Sequence, residues 1–281
     1  MYDFYLGSPE KLRRDPRSFL LAVKRMLPRW ANSLPDSEYQ VLIDILEAIG
    51  PKGPPVFVET GVGASTIVLL HFAMLRGGRA FTWDMNGSKG SFIRSVCAET
   101  LEPFHRKPIS EHWTFISSTS LSPHTGMPIL PELIDHIDLS LHDSDHTWNT
   151  VEGEIQSVLP LLRDGATVCV DDANQDTIHT YEPIINVTRR KLGLASIEPL
   201  PGNRGKPHYL RIAQVLQARF VKVRRVRTKF AEYLKDDPFY HWYDLDRRSM
   251  GEVGMERMKS LTKRFGAWRV SNARARKSAA R

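Results

Sequence analysis

Residues 142–148 read HDSDHTW and follow directly on the apolar run IDLSL. His142, Asp143, Asp145 and His146 therefore stand where a strand leaves a hydrophobic core. Charged side chains are seldom fully buried unless paired, so such a strand tip faces water, a ligand or a metal. An imidazole there titrates close to neutral pH and is suited to taking up a proton. A plainer use is also open, in which Asp145 or Thr147 caps the next helix. Further polar residues close other apolar runs: Glu59 in PVFVET, Asp84 in AFTWDM, Ser118 in WTFISS, and Asp171 with Asp172 in ATVCVDD. Acids placed by chance on a surface would not all follow directly on strand-like runs.

These runs alternate with helix-like stretches, among them ASTIVLLHFAMLRG, KGSFIRSVCAETLEPF and WNTVEGEIQSVLPLLRDG. Strands alternating with helices imply right-handed crossovers and a parallel sheet covered on both faces. The expected fold is α/β, a Rossmann-like, doubly wound and mostly parallel sheet. It spans residues 51–215, with ASIEPL and HYLRIAQV as a closing antiparallel pair. A helical extension over 1–50 precedes it, ended by the breakers PKGPP. A basic helical extension over 216–281 follows, with a disordered end. In such sheets ligands bind beyond the carboxyl ends of the strands, which is where the polar residues fall.

VFVETGVGAST reads as a strand, a turn and a helix start, with Gly61 and Gly63 allowing a ligand close to the backbone. Asp84, 23 residues after Gly61, can accept hydrogen bonds from both hydroxyls of a ribose. Two cofactors compete for this arrangement. NAD places its pyrophosphate at the helix start, but Thr66 stands where the third glycine of its fingerprint belongs, and Glu59 would repel phosphate. S-adenosylmethionine has an ammonium, a sulfonium and no phosphate, so the electrostatics favour it.

Together with FTWDMN and IDLSLHDSDHTWNTVEGEIQSVLPLLRDGATVCVDDA, this turn resembles the class I S-adenosylmethionine-dependent methyltransferases. The nearest likeness is to the small-molecule O-methyltransferase group with an HDS-x-HT-aromatic segment and a later DDA, and it covers residues 55–215. The resemblance implies cofactor contacts at Glu59, Gly61, Gly63, Ser65 and Asp84, with Trp83 or Met85 near the adenine. Ser118–Thr119 departs from the Gly–Asp that many relatives have there. Methyl transfer to oxygen requires the nucleophile to be held close to the sulfonium carbon and relieved of its proton. Some related catechol and sugar methyltransferases do this with Mg²⁺ on three oxygen ligands, and Asp143, Asp171 and Asp172 stand at the corresponding positions. Asp171 and Asp172 point to opposite sides of an unbroken strand and converge only if it bends after Asp171. Without a metal the base is His146, with His142 behind it. The catalytic residues expected are thus Asp143 and His146.

The chain of 281 residues is 41% hydrophobic and carries a formal charge of +7. From Leu216 onward there are 18 basic and 7 acidic residues, against 21 and 25 before it. The bland reading of LQARFVKVRRVRTKFAEYLKD is a helix that packs Leu216, Phe220, Val223, Phe230 and Leu234 on the domain and leaves a basic face in water. No apolar run approaches the roughly 20 residues of a membrane span. The N-terminus has charges where a signal peptide has its apolar stretch, and the two cysteines form no disulfide or zinc pattern, so a cytoplasmic location is expected. The acceptor expected is a hydroxylated small molecule or glycan. Two rivals stand beside this reading: an NAD-dependent oxidoreductase, and a non-catalytic nucleotide-binding module whose basic tail docks to RNA or a membrane.

Overall fold

The computed structural model describes residues 13–118 (except 33, 35, 51 and 52), 127–144, 148–171, 173, 190–191, 193, 212, 215–216, 219–225 and 264–270. Among them are seven strands: β1 (Val56–Thr60), β2 (Arg79–Asp84), β3 (Trp113–Ser117), β4 (Ile137–His142), β5 (Leu162–Val170), β6 (Arg219–Arg225) and β7 (Arg264–Arg269). They form one sheet in the order β3-β2-β1-β4-β5-β7-β6. The first five are parallel, and β7 runs antiparallel to both β5 and β6. The order reverses between β1 and β4, so the crevice for a ligand opens over the tips of these two strands.

The helices are α1 (Pro16–Met26), α2 (Asp36–Ala48), α3 (Ala64–Leu75), α4 (Gly87–His105), α5 (Leu130–Leu133) and α6 (Trp148–Val158). All five residues of β1 are buried, as expected of a central strand covered on both faces. Helix α3 is buried on nearly every side because it lies between the sheet and α1 and α2. Phe19, Leu20, Tyr39 and Leu42 therefore share one core with Ile67, Leu70, Phe57 and Leu139. The N-terminal helices are part of the domain's packing. Asp15 caps α1 through the Ser18 amide, and Pro16 fits its first turn. Lys24 of α1 pairs with Asp36 of α2 at 2.6 Å in a buried contact, joined by Arg25 at 2.8 Å. Burial alone would raise the Asp36 carboxyl, but the two cations hold it down at about 2. The opposite face of the sheet packs Val58, Phe81, Trp83 and Val168 against Val151 and Ile155 of α6 and against Trp268.

Two sequence expectations are corrected at the C-terminal side. The antiparallel closure is made by β6 and β7, within the stretch expected to be helical, so the sheet continues past residue 215. Ile212 and Val215, expected in a strand, are helical; Leu216, expected in a helix packed on the domain, is helical too, and Ile212 and Leu216 are fully buried. RFVKVRR alternates apolar and cationic residues with the period of a strand, and its Val and Phe favour an extended chain. Phe230, Leu234 and the end of the tail lie outside the described residues. No helix among the described residues is long and apolar enough to cross a membrane.

Candidate active site

The centre of the site is the turn from β1 into α3. Gly61 has φ +87°, and a Cβ there would overlap the carbonyl oxygen of Asp143. Only glycine both adopts that backbone and lets the tip of β1 pass directly against the tip of β4. The Gly61 amide donates to the Trp83 carbonyl, which ties the turn to β2 as well. The Gly63 amide donates to Thr66 Oγ1 at 2.9 Å, and a Cβ on Gly63 would stand 3.1 Å from the Ala31 carbonyl. The short helical turn Arg29–Ala31 therefore lies over the glycine turn.

Glu59 is fully buried beneath this turn. Ser65 Oγ and Thr82 Oγ1 donate to its two oxygens, each at 2.9 Å, and Trp113 Nε1 donates in turn to Thr82 Oγ1. Burial pushes the Glu59 carboxyl up to about 7, against the pull of the hydroxyls and of Lys89. Glu59 and Ser65 thus brace the turn from below. Asp84 ends β2, with Oδ2 accepting from the Val62 amide at 2.8 Å and Oδ1 from the Asn86 amide at 2.7 Å. Each carboxylate oxygen retains acceptor capacity, so the group can still receive a diol. Lys89 Nζ stands 3.8 Å from Asp84 Oδ2. Of the two residues expected near an adenine, Trp83 is buried in the core with its Nε1 on the Pro128 carbonyl, whereas Met85 is 63% exposed. Ser118 donates its amide to the Asp84 carbonyl; Thr119 lies outside the described residues.

At the tip of β4, His142, the second base candidate after His146, is 1% exposed and turned into the core. Its Nδ1 lies 3.1 Å from Glu154 Oε2 and its Nε2 3.1 Å from Ser140 Oγ. Thr60 Oγ1 donates to the same Glu154 oxygen at 2.8 Å and accepts from the Asp143 amide at 3.3 Å. This buried network locks the β1 and β4 tips to α6 and presents half-buried Asp143 beside the glycine turn. Glu154 was missed in the sequence. The signal was there: Val151, Ile155 and Val158 mark the buried face of α6, and a glutamate at 154 falls on it. Asp171 is buried, with its amide on the His142 carbonyl. Asp172, Asp145 and His146 lie outside the described residues. Among the described residues no group of three His, Cys, Asp or Glu could hold a metal ion, so Asp143 and Asp171 alone do not make the expected magnesium site. A cavity of about 700 Å³ lies at the other end of the sheet, lined by Val56, Arg79, Phe81, Ile134, His136 and Arg163, and takes no part in this site.

A parallel sheet with one antiparallel strand, a glycine turn at its switch point and an acid at the end of β2 form the arrangement that the sequence reading expected for an adenosine cofactor. Residues 58–173 match a family described as a methyltransferase domain. The match favours a methyltransferase over the NAD-dependent oxidoreductase. A comparison with curated proteins finds no match. Solved structures with some likeness include the cofactor-bound Rv0187 from MTB, at 23% identity over 64% of this chain and 77% of that one, with a TM-score of 0.42. The O-methyltransferase TomG of Streptomyces achromogenes, in complex with SAM, shares 18% identity over 74% and 80%, with a TM-score of 0.46. An O-methyltransferase from Bacillus cereus in complex with SAH shares 16% over 95% and 94%, with a TM-score of 0.47.

Proposed function

We propose that the protein transfers the methyl group of S-adenosylmethionine to a hydroxyl oxygen of a small molecule or glycan. The observation that carries this reading is the contact between the Gly61 turn and the Asp143 backbone at the switch point, with the Asp143 carboxylate beside it. In this reading Asp84 receives the ribose, and Glu59, Gly61, Gly63 and Ser65 form the turn that holds the amino-acid end. Asp143 accepts a hydrogen bond from the acceptor hydroxyl and orients it, and His146 takes the proton as the methyl group is transferred. Were Mg²⁺ bound, Asp143, Asp171 and Asp172 would hold it, and it would lower the pKa of the acceptor hydroxyl. Both free cysteines, Cys97 and Cys169, are buried, which supports a cytoplasmic setting without a disulfide framework.

The binding test is thermal: S-adenosylhomocysteine should raise the melting temperature and NAD should not. The chemical test supplies ¹³C-methyl S-adenosylmethionine with a panel of sugars, phenols and amines. Methyl ether products identified by their carbon shift are expected, and labelling of amines alone would overturn O-methylation.

A further inference from the structure

The two faces of the sheet are covered unevenly. β1 and β2 lead into α3 and α4, of 12 and 19 residues, whereas the described part of the link from β3 to β4 holds α5, of four residues. The face that carries Val58, Phe81 and Trp83 is therefore thinly covered at the amino ends of the strands, and the cavity of about 700 Å³ lies there. Pro55, Val56, Ile134 and Leu161 give it apolar walls. Gly53 and Gly77 border it with nothing within 4 Å of where a Cβ would stand, so the wall is open at both. Apolar walls with a few polar groups around such a volume suit a small molecule. The five residues of β1 set this cavity roughly 16 Å from the glycine turn.

Most charged groups here are matched with one another. Asp138 accepts from the Val56 amide at 2.9 Å and from Arg163 at 3.3 Å, and Asp135 pairs with His136 at 2.6 Å. Arg79 is left over. It opens β2 on the row that continues with Phe81 and Trp83, where a parallel sheet ordinarily buries apolar side chains. Its guanidinium lies 4.7 Å from the centre of the Phe81 ring and makes no hydrogen bond or ion pair among the described residues. Resting on the ring restrains the guanidinium and leaves its N–H edges for a ligand. Such a fork matches a carboxylate, which it can hold through two parallel hydrogen bonds. Glu132, also on the lining, disfavours a dianion such as a phosphate monoester. We infer that this cavity is a second ligand site, which takes a monocarboxylate with an apolar body and holds its head on Arg79. The inference does not depend on the methyltransferase reading.

The test is NMR on the full ¹⁵N-labelled chain with three probes: phenylacetate, phenylacetamide and acetate. Phenylacetate should shift the Gly53 and Gly77 amides and leave those of Gly61 and Gly63 in place. Phenylacetamide lacks the charge and should bind about tenfold more weakly. Acetate lacks the apolar body and should shift neither glycine. Arg79→Met should weaken phenylacetate about tenfold and leave phenylacetamide within about twofold, and Arg79→Lys should restore part of the loss. In the unmodified protein, rising salt should weaken phenylacetate and not phenylacetamide, a comparison that needs no variant to fold. Equal affinity for the acid and the amide would overturn the inference, as would unchanged phenylacetate affinity in Arg79→Met. Shifts at Gly61 and Gly63 in place of Gly53 and Gly77, or no shift with phenylacetate at all, would overturn it too.

Discussion

Replacing Glu59 with glutamine keeps the shape of the side chain and removes its titration. The glutamine carbonyl can accept from Thr82, and its NH₂ can donate to Ser65, whose hydroxyl then acts as acceptor. The carboxyl of Glu59 titrates near 4.5 when ordinary and near about 7 when buried in the native fold. A carboxyl raised on folding makes a contribution that is complete below the unfolded value and is lost as pH rises through the folded one. That gap corresponds to about 3 kcal/mol, lost between about pH 4.5 and somewhat above pH 7. Two histidines work in the opposite direction over part of the same window. His71 and His105, 3.1 Å apart between α3 and α4, are pushed down by burial to about 3 and about 4. Their contributions are present above the ordinary value of 6.5 and are lost as pH falls. The measurement is therefore the difference between Glu59→Gln and the parent, by urea unfolding at pH 5, 6, 7 and 8, in which the histidines cancel. The variant should be within about 1 kcal/mol of the parent at pH 5 and gain on it by about 2–3 kcal/mol at pH 8. A difference that stays flat, or that turns against the variant as pH rises, would mean that the hydroxyls and Lys89 keep Glu59 ionised throughout.

Gly61→Ala meets the Asp143 carbonyl and a positive φ together, whereas Gly77→Ala meets a φ of +67° with open space around it. The first should cost about 3 kcal/mol or more and abolish S-adenosylhomocysteine binding; the second should cost about 1–2 kcal/mol and leave binding intact, as unfolding curves and calorimetry will show. If Asp172 completes a magnesium site, excess EDTA should remove activity, and Asp143→Ala should do the same. If activity survives EDTA, His146→Ala should lower kcat by about a hundredfold with cofactor affinity unchanged, and a value within twofold of the parent would return His146 to a structural role.

The order of elements from 56 to 170 was legible because each strand is an apolar run with a polar end and each helix has its own apolar stripe. The C-terminal half of the sheet was harder. RFVKVRR carries a strand's alternation, but its apolar positions also meet a helical spacing with Leu216 and Phe230. Its partner, RFGAWR, lies about forty residues further on. Nothing local says that the two should pair, because an antiparallel contact at that separation is decided by burial of Trp268 and Ala267 on the far side of β5. The N-terminal helices were legible as helices, but not as cover for α3. The sign was in α3 itself: ASTIVLLHFAML is apolar all round and needs two covering surfaces, of which the sheet supplies one.

At the site, the strand-end rule found the right places and missed what each residue does there. Glu59, His142 and Asp171 all close apolar runs, yet all three are turned inward. Alternation along a strand sends every second side chain to one face, and a parallel sheet has cover on both, so a polar residue at a strand end is exposed only when the chain has already left the sheet. Asp84 is the last residue of β2 and Asp143 lies one residue past β4, and both are only partly buried. The inward residues instead determine how rigidly the rim is held. Glu59 joins the α3 start to β2 through Ser65 and Thr82, and Glu154 joins β1 to β4 through Thr60 and His142. Two buried glutamates thus fix the three strand tips around the glycine turn. In-line transfer of a methyl group tolerates little error in such a spacing, so in the proposed reading these inward residues set the geometry of the rim.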